Sequence, residues 1–132
     1  MADIALIEER LTQSVIGAFY EVYNDLRFGF HEHVHVNALE RELLARGHDV
    51  AREIAVEVSY KQDVVATQRL DMVVDNKLVV EVKSTLDLHK SALRQLRSYL
   101  HATRLELGLL LPFGPEARFY RLVHSNDQSR SA

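Results

Sequence analysis

Ile4, Ile7, Leu11, Val15, Ala18, Val22 and Leu26 recur at steps of three and four, a pattern that predicts an amphipathic helix over 4–26. Phe28-Gly29-Phe30 breaks it. A second helix is expected over 31–46, stopped by Gly47. Residues 54–60 alternate and read as a strand. Two hydrophobic runs follow, 69–74 and 78–84, joined by the polar turn Asp75-Asn76-Lys77. Asp87 is the expected N-cap of a third helix over 88–103. A hydrophobic strand over 105–111 ends at Pro112-Phe113-Gly114-Pro115, and a last strand is expected over 117–123. The order ααβββαββ predicts an α/β fold, a small mixed central sheet flanked by helices. One domain over 1–124 is expected, followed by a flexible polar tail over 125–132.

Composition narrows the chemistry. With 132 residues, 47% of them hydrophobic, the chain can bury a substantial core. It has no cysteine, which excludes disulfides, thiolate metal sites and a cysteine nucleophile. No apolar run approaches the length of a membrane span, so no membrane partner is expected. The first ten residues mix acids with apolar residues and carry no basic segment, unlike a signal peptide, and a cytoplasmic protein is expected. The net charge of −3 argues against binding nucleic acid through bulk electrostatics alone.

The two runs around the polar turn carry the main chemical candidate. If Asp75 to Lys77 form a three-residue loop, Val74 pairs with Leu78, and Asp71 falls opposite Glu81. Opposed side chains of an antiparallel pair share a face, with Cβ atoms roughly 4.5–5.5 Å apart. Two carboxylates that close repel unless a cation or a proton lies between them. Lys83, two residues past Glu81, points to the same face. Leu78, Val79, Val80 and Val82 suggest a strand buried on both faces, with little solvent face for Glu81 and Lys83. This favours a divalent-metal site. The alternative is an ordinary amphipathic strand, or a two-residue turn at Asn76-Lys77, which would shift the register and separate the carboxylates.

Two helices add candidates. Glu32 lies on the stripe of Val36, Leu39 and Leu43, with His35 on nearly the same side; a carboxylate there can serve the site or simply favour the helix dipole. Gln95 and Tyr99 share a face with Leu88 and Ala92, where Gln95 can hold a water or a phosphate, or tie down a loop. Lys90, Arg94, Arg97 and His101 form a second stripe, either a phosphate-tracking ridge or a solvated face. His31, His33 and His35 alternate, but on a helix they diverge, so a zinc cluster is not expected. His48, His89, His101 and His124 show no ligand spacing.

Asp71 followed by Glu81-x-Lys83 resembles the D…(D/E)xK signature of the PD-(D/E)XK nuclease superfamily. Gly17-Ala-Phe-Tyr-Glu21-Val, Gly29-Phe30-x-Glu32, Glu40-x-Glu42-Leu43-x-x-x-Gly47 and Gln95-Leu-x-x-Tyr99-Leu100 resemble the small bacterial domains called GxxExxY proteins. The resemblance runs from about 16 to 123, and His35 stands where that motif has tyrosine. It implies a restriction-endonuclease-like core and a metal-dependent phosphodiesterase acting on nucleic acid, DNA or RNA. In that pattern Asp71, Glu81, the Val82 carbonyl and Glu32 would hold Mg²⁺ or Mn²⁺. Lys83 would orient or deprotonate the attacking water or stabilise charge on the phosphate. Gln95 would position water or substrate, Tyr99 would support it, and Lys90, Arg94 and Arg97 would contact substrate. The alternatives are a non-catalytic nucleic-acid-binding module and a protein-interaction module, acting as a homodimer or through a protein partner.

Overall fold

Leu11, Val15, Ala18, Phe19 and Val22 are buried along one side of the first helix, α1 (Glu9–Leu26). The computed structural model describes residues 8–125, so Ile4, Ile7 and nearly all of the expected polar tail lie outside the described residues. Arg27 and Gly29 then take positive φ, 60° and 110°, and turn the chain into α2 (Glu32–Ala45). Gly47, at φ 88°, ends that helix as expected. Its N–H bonds the Leu44 carbonyl, while the His48 N–H reaches back to Leu43.

Five strands form one mixed sheet in the order β1 (Val50–Tyr60), β2 (Asp63–Val74), β3 (Leu78–Lys83), β4 (Leu107–Pro112), β5 (Tyr120–Val123). Neighbours are antiparallel except β3 and β4, which run parallel. A parallel pair needs a crossover. The third helix, α3 (Ala92–Thr103), supplies it. The element order and the mixed sheet match the sequence expectation. Among the described residues no helix is long and apolar enough to cross a membrane.

The period-2 alternation of β3 divides the core between two layers. Leu78, Val80 and Val82 enter a cluster with α1, α2, Met72 and Phe113. Val79 enters a second cluster with Val73, Leu110 and the apolar side of α3. Glu81 and Lys83 follow Val79 and so face the α3 layer. Gly108 on β4 lets α3 approach closely: an added Cβ would lie 3.0 Å from Leu96 Cδ1, and Leu96 is fully buried. Gly108→Ala is therefore expected to cost about 1–3 kcal/mol by overpacking, read as a shift in urea midpoint without a change in slope. An unchanged midpoint would mean that α3 is free to move off the sheet.

Several boundaries differ from the sequence reading. β1 starts at Val50 rather than 54, and β2 at Asp63 rather than 69, so the first hairpin is much longer than expected. Lys61 and Gln62, both at positive φ, form its tip. The added residues of β2 are largely exposed, Val64 and Val65 among them, so no alternation of apolar and polar positions marks the extension. The third helix starts at Ala92, not 88, and Asp87 is not its cap. His89 Nδ1 accepts both the N–H and the hydroxyl of Ser91, which holds the preceding segment in a turn. Leu88 and Lys90 consequently precede the helix rather than extend its stripes.

A polar chain fixes the turn end of the sheet. Ser14 Oγ lies 2.7 Å from His48 Nε2, and His48 Nδ1 lies 2.8 Å from Asp75 Oδ2. Asp75 Oδ1 accepts the Asp49 N–H. Burial pushes the Asp75 carboxyl up, but these hydrogen bonds and the charges of His48 and Lys77 outweigh it and hold it below its usual value. The chain ties α1, the loop after α2 and the β2–β3 turn together, a role the sequence reading did not assign to His48.

Candidate active site

The β2–β3 turn adopts the three-residue loop expected from the sequence. Val74 pairs with Leu78, and the ladder runs through Val73↔Val79 to Met72↔Val80. One step further, Asp71 and Glu81 stand opposite each other, and the regular pairing stops. Each carboxylate reaches across to the other strand. The Asp71 N–H donates to Glu81 Oε1 at 2.9 Å, and the Val82 N–H donates to Asp71 Oδ2 at 2.7 Å. The pairing of β2 with β1 also lapses beside Asp71, between Arg52↔Met72 and Ile54↔Leu70, where Glu53 takes φ 51°. The sheet thus opens at Asp71 on both edges. Neither carboxylate uses its second oxygen in a hydrogen bond among the described residues.

The electrostatics of this opening are unfavourable to negative charge. Glu81 is only 4% exposed, and its carboxyl is pushed up to about 8, first by burial and then by the charge of Asp71. Lys83 and the Asp71 N–H oppose that rise without cancelling it. Asp71 is raised by burial, against the pull of the Val82 N–H, Lys83 and Arg52. Glu32 is raised by the burial of its carboxyl end and by Asp71, against Lys83 and the Ser84 N–H. Buried carboxylates with raised proton affinity are typical of sites that bind a cation or move a proton.

Glu32 sits in the first turn of α2, and its Oε1 accepts the Ser84 N–H at 3.3 Å, just past Lys83. Its side chain is exposed rather than buried with Val36, Leu39 and Leu43, contrary to the core-facing stripe read from the sequence. Standing in the first helical turn, it lies past the layer that buries that stripe and reaches the end of β3 instead. Tyr99 is buried on α3, and burial followed by the charges of Glu81 and Asp71 raises its hydroxyl, which shares a hydrogen bond with Gln95. Gln95 and Lys83 line one cavity of about 210 Å³, together with His89 and Ser91. The structure therefore brings Asp71, Glu81, Lys83, Glu32, Gln95 and Tyr99 to one end of the sheet.

The basic residues are placed differently. Arg94 and Arg97 line a groove of about 710 Å³ between α3 and the long β1–β2 hairpin, with Gln68, Ser98 and His101. Lys90 is exposed on the turn before α3 and does not line that groove.

Three contributors were given no role in the sequence reading. His35, read there as lying on nearly the same side of α2 as Glu32, is fully buried, and its ring stacks on Phe113 at 3.9 Å between centroids. Its Nε2 lies 2.8 Å from the Arg27 carbonyl, which can only accept, so Nε2 carries the proton. Nδ1 then accepts the Ser84 hydroxyl at 2.6 Å. Ser84, immediately after Lys83, thus joins Glu32 through its N–H and His35 through its hydroxyl. Phe113 completes the support, its N–H bonding the Lys83 carbonyl at 2.6 Å. The position of Ser84 directly after the acidic motif was the one signal available for it.

The donor set consists of hard carboxylate oxygens with unused lone pairs, which fits Mg²⁺ or Mn²⁺. Among the described residues no three acidic or histidine side chains converge as a ready-made cage. Such a site would complete its shell with backbone oxygen and water, as magnesium commonly does.

Comparison with known proteins identifies the family. A family model of the PD-(D/E)XK nuclease superfamily matches residues 9–122. No curated protein matches the chain. Among solved structures, the protein SSO0001 superposes with a TM-score of 0.56 at 21% identity, over 74% of this chain and 52% of the other. The alkaline exonuclease LHK-Exo from Laribacter hongkongensis superposes with a TM-score of 0.53 at 9% identity, over 75% of this chain and 58% of the other. The chain thus matches just over half the length of each, and at these identities the likeness is one of fold. The family match runs from the start of α1 into β5, and the chain belongs to the PD-(D/E)XK nuclease superfamily.

Proposed function

We propose that the protein is a Mg²⁺- or Mn²⁺-dependent phosphodiesterase that hydrolyses DNA or RNA, and that within the superfamily it is a GxxExxY protein. The observation that carries this reading is the opening of the sheet at Asp71 and Glu81. Two opposed carboxylates are fixed there by backbone N–H groups, and each keeps one oxygen free. That arrangement costs stability without a cation and gains it with one.

Asp71 and Glu81 would hold the ion, with the Val82 carbonyl and Glu32 as further ligands, Glu32 directly or through water. When bound, the ion supplies positive charge at the phosphate and makes water more acidic. Lys83 shares the face of Glu81 and donates to a phosphate oxygen or to the attacking water. Gln95 faces the cavity it shares with Lys83 and orients that water. Tyr99 holds Gln95 in place. Arg94 and Arg97 receive the phosphate backbone along the groove beside α3, and Lys90, exposed on the turn before α3, adds a further phosphate contact outside that groove.

The test is cleavage of single- and double-stranded DNA and RNA in Mg²⁺ or Mn²⁺, by wild type and Lys83→Ala. Metal-dependent cleavage that falls by roughly 10²–10³-fold in the variant is expected, the scale for loss of one positioned electrostatic group. Nucleic-acid binding without cleavage in either metal would instead support a non-catalytic binding module. A protein partner bound in its absence would support an interaction module.

A further inference from the structure

The loop over 27–31 leads directly into Glu32 at the start of α2, and the segment presents aromatic rings to solvent. Phe28 is 43% exposed and Phe30 is 49% exposed. Two exposed phenylalanines within three residues are unfavourable unless something covers them. The His31 and His33 rings, also exposed, lie within 13° of parallel with centroids 6.0 Å apart, one residue on either side of Glu32. Phe30 is anchored by edge contact with the buried His35 ring, at 6.0 Å and 84°. His35 in turn bonds Ser84, next to Lys83. Within this aromatic ledge, Phe30 is therefore linked through His35 and Ser84 to Lys83, and His31 and His33 flank Glu32 directly.

We propose that this ledge, Phe28, Phe30, His31 and His33, stacks the unpaired bases of single-stranded nucleic acid beside the reacting phosphate. The proposal rests on the nuclease reading and names its substrate as single-stranded. Bases in a duplex are already stacked on each other and offer these rings only their edges. Unpaired bases offer faces, and stacking on aromatic side chains tolerates any sequence. Charge points the same way. Duplex binding draws heavily on counterion release by many cationic contacts. This chain has a net charge of −3, and only Arg94 and Arg97 bring guanidinium groups to the groove along α3. Base stacking supplies affinity that phosphate contacts here do not.

The test uses a single-stranded DNA oligonucleotide carrying one 2-aminopurine, and the same oligonucleotide in a duplex, each titrated with protein in Ca²⁺. Stacking is read directly as a change in 2-aminopurine fluorescence. Phe28→Ala/Phe30→Ala is expected to weaken single-strand binding roughly tenfold or more and to abolish the fluorescence change, with duplex binding unaltered. Phe28→Trp/Phe30→Trp is expected to restore both, and Phe28→Leu/Phe30→Leu to restore neither. Phe30 touches the buried His35 ring, so the urea midpoint of each variant is measured alongside, and an unchanged midpoint separates lost stacking from lost folding. Undiminished single-strand binding in the alanine variant would overturn the proposal. Equal loss on duplex, or rescue by leucine, would overturn it as well, the latter by showing apolar contact rather than stacking. The two readings fail separately. Absence of cleavage in Mg²⁺ and Mn²⁺ with the fluorescence response intact removes the nuclease reading alone. Cleavage of single strands undiminished by the alanine substitutions removes the ledge alone.

Discussion

Glu81→Gln is expected to be more stable than the wild type when both are free of metal, and to be inactive. Glu81 is buried opposite Asp71, with its carboxyl pushed up to about 8. A carboxyl raised in the folded state holds its proton more tightly there than in the unfolded chain. Its contribution to stability is therefore fully present below the ordinary glutamate pKa. It is lost progressively as pH rises from that value toward about 8. The size of that loss is on the order of a few kcal/mol. Glutamine carries no charge to bury and keeps an oxygen for the Asp71 N–H, so the variant escapes the loss. Urea unfolding in chelator from pH 6.5 to pH 8 should slope downward for the wild type and be much flatter for the variant. Added Mn²⁺ should restore the wild type at the upper end and leave Glu81→Gln unchanged. Cleavage should fall by about 10³-fold or more, because the ion and the charge it supplies go together. A wild-type profile already flat across this range would show that Glu81 is not ionising in a buried site.

His35→Ala should bring the largest loss of stability among single substitutions near the site. It removes a fully buried ring stacked on Phe113, which costs about 3–5 kcal/mol in a core that cannot collapse around the gap. It also leaves the Arg27 carbonyl and the Ser84 hydroxyl without their partner. Against a total stability of about 5–15 kcal/mol, that approaches unfolding at physiological temperature. Burial holds the His35 imidazole below its usual pKa, despite the opposing pull of the Arg27 carbonyl. A histidine lowered in the folded state contributes stability that is present above its ordinary pKa. That stability is lost as pH falls from there through the lowered value. Below about pH 6.5 this contribution runs against that of Glu81, so His35→Phe, which keeps a ring without a proton, should gain stability relative to the wild type as pH falls through that range. Thermal unfolding of the three proteins from pH 5 to pH 7.5 measures both effects. A loss under 1 kcal/mol in His35→Ala would show that the ring is not supporting the end of β3.

Much of this was legible in the residues. The register of the central hairpin followed from one turn, because Asp75-Asn76-Lys77 is short and polar and both flanking runs are apolar. That register places Asp71 opposite Glu81, as the ladder through Met72↔Val80 bears out. The two-sided burial of β3 followed from Leu78 to Val82, which feed both core clusters. What stayed hidden depends on contacts between distant segments. The breaking of backbone pairing at Asp71 needs Glu53 on β1, and nothing in the alternation around Glu53 announces a positive φ. The position of His35 depends on Phe113, far along the chain, and on a ring that looks polar in a periodicity count yet packs as an aromatic. Glu32 shares a helical stripe with Val36 and Leu39, but a residue in the first turn lies beyond the layer that buries them. The long first hairpin escaped because its outer half is exposed on both strands, so no apolar alternation marks it.

The central claim is that Asp71 and Glu81 form a divalent-metal site, and calorimetric titration of Mn²⁺ and Mg²⁺ into wild type, Asp71→Ala and Glu81→Ala tests it most directly. The account predicts saturable binding to the wild type, tighter as pH rises toward 8 because the ion displaces the Glu81 proton, and lost in both variants. Full metal affinity retained in the two variants, or no binding to the wild type, would contradict it.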